Sequence, residues 1–104
     1  MAQSIRFWPP AAKALQRLRL PQRKKLVEHL GRLEQDPTLG DQIHRRLIPA
    51  SLDPILREKN LWRLPLPEGW RALYSIQAGP EGATMILFLF IGTHKQYDRL
   101  MGYS

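Results

Sequence analysis

Hydrophobic positions along this chain change their spacing several times, and each change marks an element. From Ser4 to Trp8, Ile5 and Phe7 alternate with Arg6 and Trp8, the period of a short strand with one buried face, and Pro9-Pro10 ends it. Ala11, Leu15 and Leu18 then recur at helical spacing to about Leu20. Pro21 suits the first turn of a second helix, in which Leu26, Val27, Leu30 and Leu33 form an apolar stripe while Arg23, Lys24, Lys25 and Arg32 largely face elsewhere. Asp36-Pro37 stops that helix, because the residue before a proline is pushed out of helical conformation. The two helices are expected to form an antiparallel hairpin with one apolar side.

From Thr38 to Asn60 the pattern blurs, broken by Pro49 and Pro54, and a long connection with an irregular turn is expected. Three apolar stretches follow, LWRLPLP (61–67), WRALYSIQ (70–77) and TMILFLFIG (84–92), joined by turns at Glu68-Gly69 and Ala78 to Gly82, the signature of hairpin-linked strands. Pro65 and Pro67 cannot donate to a ladder, which predicts that the first of these lies at an edge or breaks early. The last is apolar on both faces and belongs inside the sheet. His94 to Met101 is expected to form a short terminal helix or a further extended piece. No repeat or low-complexity segment interrupts the chain, and residues 1–104 are expected to form a single domain.

Composition narrows the chemistry. There are 16 Lys and Arg against 9 Asp and Glu, a formal charge of +7, which favours a polyanionic partner such as nucleic acid or an acidic protein. Without cysteine, disulfides, thiolate zinc sites and cysteine nucleophiles are excluded, which fits a reducing cytoplasm. The start, MAQSIRFWPP, lacks the apolar centre of a signal peptide, and the run Met85 to Ile91 is far short of the ~20 residues that cross a bilayer. No membrane association is expected. His29, His44 and His94 are far apart and the acids are scattered, so neither a metal site nor a cofactor is expected. Phosphate-binding glycine loops of the GxxxxGK[ST] kind and G-x-S-x-G elbows are absent.

What remains is a set of cations that antiparallel strands can bring together: Arg63 on the first strand, Arg71 at the start of the second, and His94-Lys95 after the third. A charge at Arg71, between Trp70 and Ala72, needs a partner or a ligand. The alternatives are a salt bridge from Arg71 to an acid such as Glu68, and for His94 an ordinary surface position.

Taken in order, the helical pair and LWRL…GWRALYSI…ILFLFIGTHKQYDRL resemble the RelE/ParE superfamily of toxins from type II toxin–antitoxin systems. The resemblance covers almost the whole chain, 38–60 being the poorly matched part, and GTHKQYD resembles the tail of HigB-like members. It implies an α+β fold, a small antiparallel sheet with the N-terminal helical hairpin on one face and a basic concave site on the other. In the RelE-like branch that site cuts messenger RNA in the ribosomal A site without a metal. The ParE-like branch inhibits DNA gyrase and lacks the catalytic set. Both are silenced by a cognate antitoxin in a hetero-oligomer.

Carried over by position, Arg71 matches the arginine that grips the scissile phosphate. Arg63 falls on the first of two alternating basic positions, and Pro65 on the second, which removes one expected cation and admits an inactive, antitoxin-binding remnant as a further reading. The tail cation maps to His94 or Lys95, and the tyrosine to Tyr97 or Tyr103. Arg45, Arg46, Lys59, Lys95 and Arg99 complete the expected RNA-binding set. The chemistry is coherent: guanidinium groups do not exchange protons near neutral pH but suit a five-coordinate phosphate, and histidine supplies the acid or base. Tyr97 would stack on a splayed base or join the proton relay.

Overall fold

A computed structural model of the chain describes residues 4–103. Its elements run in the order β1 (Ser4–Phe7), α1 (Pro9–Leu15), α2 (Leu20–Leu33), β2 (Asp41–Gln42), β3 (Trp62–Pro65), β4 (Arg71–Ala78), β5 (Thr84–Gly92) and α3 (His94–Met101). The strands form one sheet in the order β1-β5-β4-β3-β2, antiparallel except that β1 pairs in parallel with β5, Ser4 opposite Met85 through Phe7 opposite Phe88.

Several local expectations shift for identifiable reasons. Pro9-Pro10 does more than end β1: it opens α1, since the first helical positions lack an intrahelical acceptor for their N–H groups and so tolerate proline. That helix stops at Leu15, leaving Leu18 buried in the connection. In α2, Leu26 and Leu33 are buried as expected, whereas Val27 is 67% exposed and two polar residues, Gln22 and His29, take the inner face instead. Each has partners there. Gln22 Nε2 donates to the Glu68 carboxylate (3.0 Å) and the Pro67 carbonyl (3.3 Å), and His29 Nε2 donates to the Pro65 carbonyl (3.0 Å).

β3 is not the edge strand. Within the unreadable connection, Asp41 and Gln42 pair with Arg63 and Trp62, so the outer strand is β2, and β3 ends at Pro65 just beyond that cover. Gly40 leads into β2 against the β3 backbone: a Cβ there would lie 2.7 Å from the Arg63 carbonyl oxygen and 3.2 Å from the Tyr74 hydroxyl. β5 is flanked on both sides, as its apolar sequence requires.

Both faces of the sheet are covered. On one, Ala11, Leu18, Leu26 and Leu33 from the helical segment meet Leu64, Ala72, Tyr74, Ile86 and Phe88. On the other, Ile43, Leu52 and Leu56 from the connection and Tyr97 from α3 meet Leu61, Leu73 and Leu89. The connection is fastened by side-chain amides. Gln77 Oε1 accepts from the N–H groups of Arg57 and Glu58, and Asn60 Oδ1 accepts from Ile76 N (2.7 Å) and Ser75 Oγ (2.9 Å). The expected open concave face is therefore reduced to the end of the sheet where β4 begins and β5 finishes.

Near that end the β4–β5 register slips. Leu73 opposes Phe90 but Tyr74 opposes Phe88, so Leu89 is an extra residue and the ladder bulges. Leu89 and Phe90 consequently both support the α3 side, while Phe88 and Ile91 serve the helix side.

Candidate functional site

Arg71 opens β4, with Gly92 as its neighbour on β5 and Pro65 on β3. Alternation puts Ala72 in the helix-side core, Leu73 in the opposite core, and hence Arg71 on the α3 side with Leu73. Arg63, opposite Leu73, shares that face one diagonal step away, a separation of roughly 7–8 Å between backbone positions. Two residues beyond Gly92 the chain enters α3 at His94. The turn before Arg71 abuts it: a Cβ on Gly69 would lie 3.8 Å from that of His94. Arg71, Arg63 and His94 thus converge although 31 residues of chain separate Arg63 from His94.

Arg71 is half-buried and forms no ion pair among the described residues; its one side-chain hydrogen bond among them is Nη1 donating to the neighbouring Trp70 carbonyl at 3.3 Å. The anticipated alternative, Glu68, is engaged by Gln22. Arg63 pairs loosely with Asp41 at 3.5 Å. The Tyr97 hydroxyl, then Asp41, hold its guanidinium in the charged form, above the ordinary arginine value, against the opposing effect of burial.

His94 is exposed, and its Nε2 lies 2.9 Å from Asp98 Oδ2 one helical turn on. Thr93 anchors this turn as N-cap: its hydroxyl accepts from Gln96 N (3.2 Å) and Gln96 Oε1 accepts from Thr93 N (2.9 Å). A carboxylate on one ring nitrogen fixes the orientation of the imidazole, leaving the other nitrogen free for a reacting group. Asp98 was missed in the sequence. Its signal was the His-x-x-x-Asp spacing, which has meaning only once residues 94–101 are known to be helical.

Tyr97 is placed differently from the expectation of a base-stacking ring. It is 3% exposed, packed on Phe90 (6.4 Å between centroids) and edge-on to Tyr103 (6.1 Å), and its buried hydroxyl has no hydrogen-bond partner of good geometry. Only that hydroxyl, beneath Arg63, faces the site. Tyr103 is 43% exposed and presents an accessible ring nearby.

The remaining cations divide. Lys95 and Arg99 are exposed on α3, Lys95 following His94 in sequence and Arg99 in the last turn of the helix. Arg45 and Arg46 lie exposed on the turn at Arg45–Leu47, and neither side chain forms an ion pair among the described residues. Lys59 is tied to Asp53 (carbonyl 2.6 Å, carboxylate 3.4 Å) beside the Gln77 end of β4, six residues from Arg71, on the order of 20 Å along the strand. No group of three His, Cys, Asp or Glu residues suited to a metal ion occurs among the described residues.

No protein-family model and no curated protein matches this chain. Comparison with solved structures gives it the fold of a RelE-like toxin. The matching structure is the E. coli toxin RelE, as a double arginine-to-alanine mutant in the free state: the TM-score is 0.59, with 98% of this chain and 97% of that chain covered at 19% identity.

Proposed function

We propose that this chain is the toxin of a type II toxin–antitoxin system and cuts messenger RNA on the ribosome, inhibiting translation in the cytoplasm until a cognate antitoxin binds it. The reading rests above all on Arg71, a half-buried arginine with no acidic partner among the described residues, standing beside a histidine oriented by Asp98. A guanidinium in that state is available for a phosphate, whose charge grows as the fifth oxygen attacks. Arg63 adds a second cation, and His94 exchanges the proton of the attacking 2'-hydroxyl or of the departing 5'-oxygen. Asp98 is a positioning residue for His94. Tyr97 acts through Arg63, and Tyr103 supplies the exposed ring for a splayed base.

The decisive measurement is toeprinting after brief induction. Cleavage within translated messages is expected, and it should survive chelator concentrations that leave ribosomes intact, because the described residues offer no carboxylate cluster to carry a metal. Loss of DNA supercoiling with intact messages would instead make this a ParE-like gyrase inhibitor. Harmless expression of a chain that still binds an antitoxin would make it an inactive remnant, in keeping with Pro65 standing opposite Arg71 where a further cation is missing.

A further inference from the structure

We propose that the cleft between α1 and the last third of β5 is a second subsite for single-stranded RNA, taking the nucleotide next to the one held at Arg71 and His94. This rests on the RNA-cleaving reading for the first subsite but is argued from its own residues. β1 accompanies β5 only as far as Phe88, and beyond that point α1 replaces it, leaving a cleft of about 680 Å³. Lys13, Arg17 and Arg19 line one wall, and Trp70 and Phe90 contribute half-exposed aromatic surface to the cleft.

Charge identifies the occupant as an anion. None of the three cations forms an ion pair among the described residues, the cleft lining contains no acid, and no Asp or Glu precedes Glu28 in the chain. Aromatic faces beside unpaired cations suit a base and its phosphate together. Continuity points the same way, since Trp70 immediately precedes Arg71 and Thr93, also in the lining, immediately precedes His94. A strand of RNA passing over this end of the sheet meets both subsites in succession. An acidic peptide is the competing occupant, but α1 packs against β5 and denies such a peptide the strand edge it would add to.

The test is fluorescence anisotropy with a labelled hexanucleotide RNA methylated at every 2'-oxygen, so that binding is read without cleavage. Lys13→Glu with Arg17→Glu is expected to weaken binding about 10-fold or more and to flatten the slope of log K against log salt by roughly 1.4, the loss of two phosphate contacts. Lys24→Glu with Arg6→Glu, an equal charge change at exposed residues outside the cleft, should alter affinity no more than about 2-fold. The milder pair Lys13→Gln with Arg17→Gln should move in the same direction, guarding against a folding defect. With a labelled dinucleotide the two charge-reversed proteins should differ little, because the added affinity comes from the second subsite. Equal hexanucleotide binding by cleft and control variants overturns the proposal, and selective loss of polyglutamate binding from the cleft variant would assign the cleft to an acidic protein segment instead. Cleft-dependent RNA binding by a protein that leaves translated messages whole would uphold the subsite and sink the cleavage reading.

Discussion

Arg71 is the residue whose removal separates the proposed catalytic role from stability. Its guanidinium hydrogen-bonds a neighbouring carbonyl and pairs with no acid among the described residues, so Arg71→Ala strands no buried carboxylate and should leave the melting temperature nearly unchanged. Cleavage should fall by roughly 10²-fold or more, as for other lost donors that act when transition-state charge builds, and growth arrest should disappear. Arg71→Lys should restore only part of the activity, since an ammonium cannot present paired donors. One melting curve and one toxicity assay check this. Tyr74 makes a contrasting prediction because its role is structural. Its ring is fully buried between Trp62 and Phe88, and its hydroxyl donates to the Pro37 carbonyl (2.7 Å) and accepts from Gly40 N (3.0 Å). Burial pushes its ionisation up to about 12. A raised pKa means that the folded state holds the proton more tightly than the unfolded chain. The resulting stability is complete below the ordinary tyrosine value of ~10 and is lost as pH rises from there through the folded value. Phenolate absorbance should show a tyrosine ionisation delayed beyond the ordinary value, together with unfolding.

α3 carries the proposed general acid or base, His94, and its positioning partner Asp98 on a single turn, so its N-cap matters out of proportion to its surface position. Thr93→Ala removes the hydroxyl that accepts from Gln96 N, and should cost about 1 kcal/mol of stability. It should lower cleavage further than that loss of stability explains, because His94 and Asp98 depend on the first turn being formed; thermal melting and the cleavage rate, measured together, decide it. β2 is two residues long and depends on close approach rather than propensity. Gly40→Ala places a methyl 2.7 Å from a backbone oxygen of β3, which cannot move aside as a side chain would, and overpacking of this kind should destabilise by about 1–3 kcal/mol. Wild-type melting behaviour in that variant would mean that β2 is not held against β3.

Across the molecule, charge is unevenly distributed. Seven of the 16 Lys and Arg residues lie before Glu28, in a stretch without a single acid, and three of them, Lys13, Arg17 and Arg19, line the proposed RNA path. A surface of this kind favours encounter with an acidic partner, and a segment that folds on binding suits it. Expression from the native operon should therefore yield a complex with a small second chain, and raised salt should loosen it. Purification alone, with harmless expression, would count against the toxin reading.

Local periodicity was enough to find α2, the three hairpin-linked strands, the central place of β5, the turns before β4 and β5, and Arg71 as an ill-matched charge. Each of these depends on neighbours within a few residues, where side-chain spacing reports directly on the face that is buried. The parallel pairing of β1 with β5 joins residues some 80 positions apart and leaves no local trace. β2 is too short to have a period, and residues 43–57 cover the second face with single apolar side chains separated by polar ones. Those long-range choices set the site. They bury Tyr97 beneath Arg63 and leave Arg71 without an ion pair among the described residues, because whether a charge or a ring faces solvent, a carboxylate or a core depends on what the rest of the chain lays beside it, whereas Asp98 meets His94 locally, through one turn of α3.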